Sequence, residues 1–297
     1  ATEHNDFVNA RVTKLSKDQP LRKAEILPIV IQERQREQVH SDYARVIWEG
    51  CWRLHQAHAE TDPQSGKQVS FGIVRMANIE PLIRIAQQLY TQAMPEDTHL
   101  HLCVYHSRFP LAQRSAIENL LDQAFNRKTS AGKAVFTLPA VRKALDANSA
   151  QQHMFVVLAS PVCEVGRDWD ADWAVAEPSS MRSLIQLAAR VQRHRRQPPA
   201  EPNMLLLDAP IRHFLRTQAN APIYIKPGFE RNTMLKPFLL ATPWLTELLQ
   251  PEEYQEPSAT PRIAPRPAAE RDHKTSLVDL EHERMAASMY PRPPVVV

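Results

Sequence analysis

The residues best equipped for chemistry lie in one basic segment, Ser179 to Arg196, where Gln186, Arg190 and Arg193 are spaced by four and three positions. Pro178 followed by Ser179 and Ser180 is a helix start, and Pro198-Pro199 is a stop, so the segment is predicted to be one helix. At about 100° per residue, with Gln186 as zero, Arg190 falls near ~40° and Arg193 near ~−20°. The three side chains then share one face, while Met181, Leu184, Ile185, Ala188 and Val191 form an apolar stripe opposite or beside it. Such a helix packs on a sheet and aims two guanidiniums outward, where planar cations match the oxygens of a phosphoryl group. Between Glu177 and Glu201 there are five arginines and no acid, so nothing inside the segment neutralises them. The plainer reading of a charge run is a solvated face.

Upstream, Val156 to Ala159 reads as an apolar strand that runs into the loop Ser160-Pro161-Val162-Cys163-Glu164-Val165-Gly166-Arg167-Asp168. Gly166 is one of only six glycines, and a glycine-poor chain keeps one where the backbone turns sharply or approaches a ligand. Asp168, Asp170 and Asp172 alternate, but the glycine and terminal glutamate of a calcium loop are missing. Other polar or basic candidates stand at the predicted ends of strands: Arg75 and Asn78, Ser107 and Arg108, and Ser160.

The elements that position these residues alternate. Apolar runs at 69–75, 99–105, 134–138, 154–159, 172–176 and 204–207 are separated by helical patterns such as 81–93, 111–125 and the stretch from Ser180. Strands alternating with helices predict an α/β fold, a parallel sheet with helices on both faces, whose chemistry lies at the carboxyl ends of the strands. Residues 1–60 are polar and helix-prone and are expected to form a helical leading segment; 61–216 form the α/β lobe. Sixteen of the 25 prolines lie after residue 197, so 217–297 reads as a proline-rich linker towards a further domain, with one amphipathic stretch at 277–285.

Composition narrows the class. In 297 residues, 36 Lys plus Arg against 33 Asp plus Glu leave a net charge of +3, and 43% hydrophobic content suits a globular protein. Apolar stretches of about six residues are far short of the roughly 20 that a membrane span needs. The first residues lack the features of an export signal and begin without Met, so they read as an internal cut or processed end, with a cytoplasmic location expected. Cys51, Cys103 and Cys163 include no C-x-x-C pair and are expected to be small buried hydrophobes.

The strand and loop Val156 to Asp170, followed by Gln186-Leu187-Ala188-Ala189-Arg190-Val191-Gln192-Arg193, resemble motifs V and VI of the second RecA-like lobe of superfamily 2 helicases. With Glu177-Pro178-Ser179-Ser180, His106-Ser107-Arg108-Phe109, Ala259-Thr260-Pro261-Arg262-Ile263 and Asp279-Leu280-Glu281-His282, the resemblance is closer to the CRISPR-associated helicase-nuclease of type I systems, subtype I-F. It spans most of residues 69–285. It implies that Arg190 and Arg193, with Gln186 beside them, reach the γ-phosphate of ATP bound against another lobe, and that Asp168 accepts from the ribose while Gly166 permits close approach. It implies too that Arg75, Asn78, Ser107, Arg108 and Ser160 hold a single DNA strand by its phosphates. The implied partners are a first RecA-like lobe, which binds the Mg that accompanies ATP, a nuclease domain, and the CRISPR RNA-guided surveillance complex. Ala189 departs from the family's usual glycine.

Equally informative are the missing parts. Gly66-Lys67-Gln68 and Gly132-Lys133-Ala134 are not phosphate loops, and there is no D-E-x-H box and no adjacent His-Asp pair for a metal-dependent nuclease. This chain alone is therefore expected to be inactive and to supply one motor lobe of a single-stranded DNA translocase. A non-catalytic interaction or regulatory protein built on an isolated lobe is the alternative.

Overall fold

A computed structural model describes residues 2–15, 19–232 and 237–289. Six strands run parallel in the order β1-β7-β6-β3-β5-β4: β1 (Ala24–Leu27), β3 (Gln68–Arg75), β4 (Thr98–Tyr105), β5 (Gln152–Ala159), β6 (Trp173–Ala176) and β7 (Met204–Leu207). The short β2 (Glu60–Thr61) pairs antiparallel with the start of β3. Central strands covered on both faces need continuous apolar runs rather than alternation. Accordingly β6 and β7 are buried at every position, and β3 at every position after Gln68.

One face of the sheet is covered by α2 (Arg36–His58), α3 (Ile79–Thr91) and α7 (Ile211–Leu215). The other carries α4 (Leu111–Ala124), α5 (Pro139–Asp146) and α6 (Met181–Ala188). An outlying α1 (Thr2–Leu15) precedes the sheet. Strand β3 approaches Trp173 so closely that a Cβ on Gly72 would sit 2.2 Å from the indole ring, which explains the glycine in mid-strand.

Four expectations change. Residues 1–60 are not only helical: Ala24–Leu27 forms an edge strand that pairs with β7, 180 residues further on at Ala24 and Met204. The run 134–138 is not a strand but lies in a 3-10 helix, Ser130–Thr137, and in Leu138 after it. The arginine segment is helical only as far as Ala188. Residues 217–297, read as a linker, fold back in part onto the lobe. The short helices α8 (Leu245–Leu248), α9 (Pro251–Tyr254) and α10 (Thr260–Ile263) lead to α11 (Leu277–Met289), and Leu245, Leu248, Leu249, Leu277, Val278 and Leu280 are buried in the same core as β3 and α6. Residues 290–297 lie outside the described residues.

Candidate nucleic-acid cleft and nucleotide face

Because the six main strands are parallel, the segments after β1, β3, β4, β5 and β7 all emerge along one edge of the sheet. There they enclose a cleft of about 1200 Å³. It brings together Asn78, Ser107, Arg108 and Ser160, four of the five residues read as strand-end candidates. Ser107 and Arg108 are exposed, Asn78 is half-buried, and Ser160 lies at the floor with 2% exposure. The cleft is more basic than those residues suggest. Arg34 and Arg36 follow β1, while Arg212, Arg216 and Lys226 follow β7, and all five line the same space. Glu80 is the acid in the lining, and Arg36 pairs with it at 2.6 Å. Arg34 lies over the Phe214 ring, its guanidinium carbon 5.3 Å from the centroid, and donates to the His213 carbonyl. These five cations were missed because they come from two stretches, after β1 and after β7, that lie some 180 residues apart, and nothing local in the sequence marks the two as neighbours.

Arg75, expected on the DNA strand, is not in the cleft. Its side chain is fully buried beneath the floor, where Nε pairs with Glu164 at 2.9 Å and Nη1 donates to the Glu177 carbonyl and to Ser179 Oγ. Glu177, also fully buried, accepts from the amides of Ala77 and Ile211. Burial raises the carboxyl pKa of both Glu164 and Glu177, against the lowering effect of Arg75. Arg75 therefore ties together the loops after β5 and β6 beneath the cleft.

The same Glu164 reaches the arginine segment. Its carbonyl accepts from Arg190 Nη2 at 2.7 Å, and its carboxylate accepts from Ser183 Oγ at 2.8 Å. Arg190 is not on the helix. After Ala188 the chain turns, Ala171 donates to the Arg190 carbonyl at 2.7 Å, and Val191 forms a parallel bridge with Ala171. This tertiary pairing ends the helix where the apolar periodicity would have continued it. Gln186 stays half-buried on α6, and Ala189, at φ −66, has a backbone that any residue adopts, so its methyl adds no strain.

Arg190 and Arg193 remain neighbours, fixed by one loop. Arg193 Nε donates to Asp168 at 2.5 Å, and Arg190 Nε is buried with no hydrogen-bond partner among the described residues. Lys128, Arg193 and His194 together hold the Asp168 carboxyl well below its usual range. Burial, followed by the nearby Arg193 charge, lowers the pKa of Arg190. Gly166 has φ +68 with nothing within 4 Å of an added Cβ, so the glycine serves the turn rather than a tight approach within this chain.

The five arginines have no acid within their own segment, but the preceding loop supplies acids to two of them, Arg193 and Arg195. Arg195, with 4% side-chain exposure, pairs with Asp170 at 3.0 Å, Asp172 at 2.5 Å and Glu60 at 2.7 Å. Arg127, fully buried, adds a second cation to Asp172. The alternating aspartates thus divide: Asp168 faces outward to Arg193, while Asp170 and Asp172 face a buried ion cluster. Sequence reasoning missed Arg127, which lies 45 residues from Asp172 in an unremarkable loop.

An open parallel sheet with its basic cleft on the strand ends and an arginine turn pinned to the Gly166 loop is the architecture of a RecA-like helicase lobe. Residues 68–196 match the family described as the C-terminal part of the CRISPR-associated nuclease/helicase Cas3. The chain is 44% identical over 287 residues to the CRISPR-associated nuclease/helicase Cas3 subtype I-F/YPEST of Pseudomonas aeruginosa, covering 96% of this chain and 26% of that protein. It is 44% identical over 284 residues to its counterpart from Pectobacterium atrosepticum, covering 94% of this chain and 25% of that one. The chain corresponds to the helicase C-terminal region of the subtype I-F Cas3 nuclease/helicases and spans about a quarter of the length of these relatives. Among solved structures, T. fusca Cas3 with ATP is 18% identical over 65% of this chain and 19% of that one, with a TM-score of 0.43. No described helix is long and apolar enough to cross a membrane.

Proposed function

We propose that this region is the second motor lobe of an ATP-dependent single-stranded DNA translocase whose nuclease activity resides in another domain and which degrades DNA in CRISPR interference. The observation that carries the reading is the spatial division of the basic residues. One set lines the strand-end cleft, and a second, Arg190 and Arg193, stands on the separate loop face held by Glu164 and Asp168. On this reading the cleft grips the phosphates of one DNA strand through Asn78, Ser107, Arg108 and Ser160, joined by Arg34, Arg212, Arg216 and Lys226. Phosphate contacts fix position without selecting sequence, which suits a translocase.

Arg190 and Arg193 act on ATP bound at the interface with a first lobe. The unpartnered Arg190 Nε and the exchangeable Arg193–Asp168 pair leave guanidinium donors for phosphoryl oxygens, where charge spreads in the transition state. Asp168 keeps acceptor capacity for a ribose hydroxyl. ATP and its Mg are otherwise held by the first lobe, which supplies the phosphate loop and acidic box that this chain lacks. Recruitment by a surveillance complex is part of the same proposal and rests on the likeness to these relatives.

Arg190→Ala and Arg193→Ala in the complete enzyme provide the test. Turnover of ATP is expected to fall by about 10³-fold or more, the range for arginines on a transferring phosphoryl group, with single-strand affinity little changed. Parallel loss of DNA binding would overturn the assignment.

A further inference from the structure

We infer that the C-terminal extension is a working part of the nucleotide face, and that Glu281 is a positioning residue which sets Arg190 and Arg193 through α6. The inference rests on the proposed role of those two arginines and adds the device that holds them.

The first amides of a helix have no partner within it and must be satisfied from outside. In α6 the Ser183 amide is taken by its own cap, Ser180 Oγ, at 3.1 Å. The amides of Met181 and Arg182 are taken by the carboxylate of Glu281, which arrives on α11 some 100 residues later in the chain. Glu281 is fully buried, and its charge is met by Arg262 of α10, whose carbonyl is in turn bound by His282 at 3.1 Å. A carboxylate on the positive end of a helix, backed by one guanidinium, is a fixed and directional attachment.

Below the same turn, Ser183 Oγ is held by Glu164, the residue whose carbonyl carries Arg190. Two buried carboxylates from distant segments therefore converge on the first turn of α6, and the helix spans only about 12 Å to the turn that presents Arg190. So short a helix carries a displacement of its start to its end undiminished. Displacements near 1 Å at groups that orient a reaction cost about 10²-fold in rate. A tether that merely linked two domains would have no need to bury an acid at this place.

The complete enzyme carrying Glu281→Gln, and the charge-neutral pair Arg262→Gln with Glu281→Gln, test this. Each oxygen of Glu281 serves one α6 amide, and Gln puts an NH2 donor in place of one of those oxygens. For single-strand-stimulated ATP hydrolysis, kcat is expected to fall by about tenfold or more, with KM for ATP and Kd for an oligo-dT probe within about twofold of wild type. The paired variant orphans no buried charge and carries the test if the single variant does not fold. A second measurement needs no variant: in wild-type enzyme a non-hydrolysable ATP analogue should raise hydrogen-exchange protection in α6 and α11 together. Wild-type kcat in a folded paired variant, or protection in α6 without α11, overturns the inference. Arg190→Ala and Arg193→Ala run alongside. If they leave turnover intact the nucleotide reading itself fails, whereas if they abolish it while the Gln variants are fully active, only the positioning role fails.

Discussion

Arg195 and Arg193 stand two residues apart, yet their environments predict opposite consequences for the same truncation. Arg195→Ala removes the cation shared by Asp170 and Asp172, both with at most 1% side-chain exposure, and leaves Arg127 as the remaining buried partner of Asp172 alone. Breaking a buried ion pair from one side costs about 3–5 kcal/mol because a charge is stranded. For a chain of this size that corresponds to a fall in Tm of about 10 °C. Arg193→Ala breaks a pair whose side chains are 41% and 49% exposed, which is worth less than about 1 kcal/mol. The pH dependence adds a second signature. Burial opposes ionisation of Asp170, but hydrogen bonds and charge from Arg195 win and hold its folded pKa below the usual carboxylate value. That stabilisation is present above the unfolded value of about 3.9 and is lost as pH falls through the folded one. Without Arg195 the buried carboxylate is easier to protonate, so the difference between variant and wild type should be largest near neutrality and shrink as pH approaches about 4. Thermal melts of both variants between pH 7 and pH 4 provide the assay. Equal losses for Arg193→Ala and Arg195→Ala, or a gap that widens in acid, would refute the division of this segment into a functional and a structural half.

Three further outcomes follow from the geometry. Arg216→Ala with Lys226→Ala should weaken oligo-dT binding irrespective of sequence and flatten the salt dependence by about 0.7 for each phosphate no longer neutralised, measured by fluorescence anisotropy across a salt series. Gly72→Ala should destabilise by about 1–3 kcal/mol or more, because Trp173 has no space to retreat between packed strands, and a urea melt reads this directly. Cys163, whose thiol is pushed up to about 12 by burial, and the fully buried Cys51 should resist alkylation at pH 8 until the chain unfolds, while half-buried Cys103, at about 11, labels first in a mass-resolved time course.

The strands that position both sites were legible because buried parallel strands are continuous apolar runs, and 69–75, 154–159 and 204–207 each appear as one. Strand β1 was not, since Ala24–Leu27 holds four residues with an exposed acid, Glu25, and becomes a strand only through its pairing with β7. Periodicity failed at Val191 for a similar reason. Its apolar side chain fits the helical stripe, but the bridge to Ala171 takes its backbone elsewhere. The roles proposed for Arg190, Arg193 and Asp168 rest on residue types in a motif, to which the structure adds that Arg193 pairs with Asp168 and Arg190 with the Glu164 carbonyl. The fate of Arg75 was not legible, because a strand-end arginine aimed at solvent and one buried on Glu164 have the same local sequence. The proline-rich region misled for a different reason: prolines mark the absence of regular elements, and irregular chain packs well when its few apolar residues, such as Leu245 and Leu277, fall against a core.

The pairing of β1 with β7 also has a consequence for the order in which the molecule can be assembled. Closing a loop of some 180 residues costs only slightly more entropy than closing one half as long, about 0.6 kcal/mol per doubling, but pairings so distant in sequence are slow to form. During synthesis β1 and the apolar side of α2 are made first, yet their seats on β6 and β7 do not exist until residue 207 has emerged. For most of that interval α2, whose Val39, Tyr43, Ile47 and Leu54 are later buried, has α3 and β3 to pack against but not β6 or α7. A truncation that began at residue 61 would remove β1 and uncover the part of the sheet that α2 shields, so a fragment meant to fold should start ahead of Ala24.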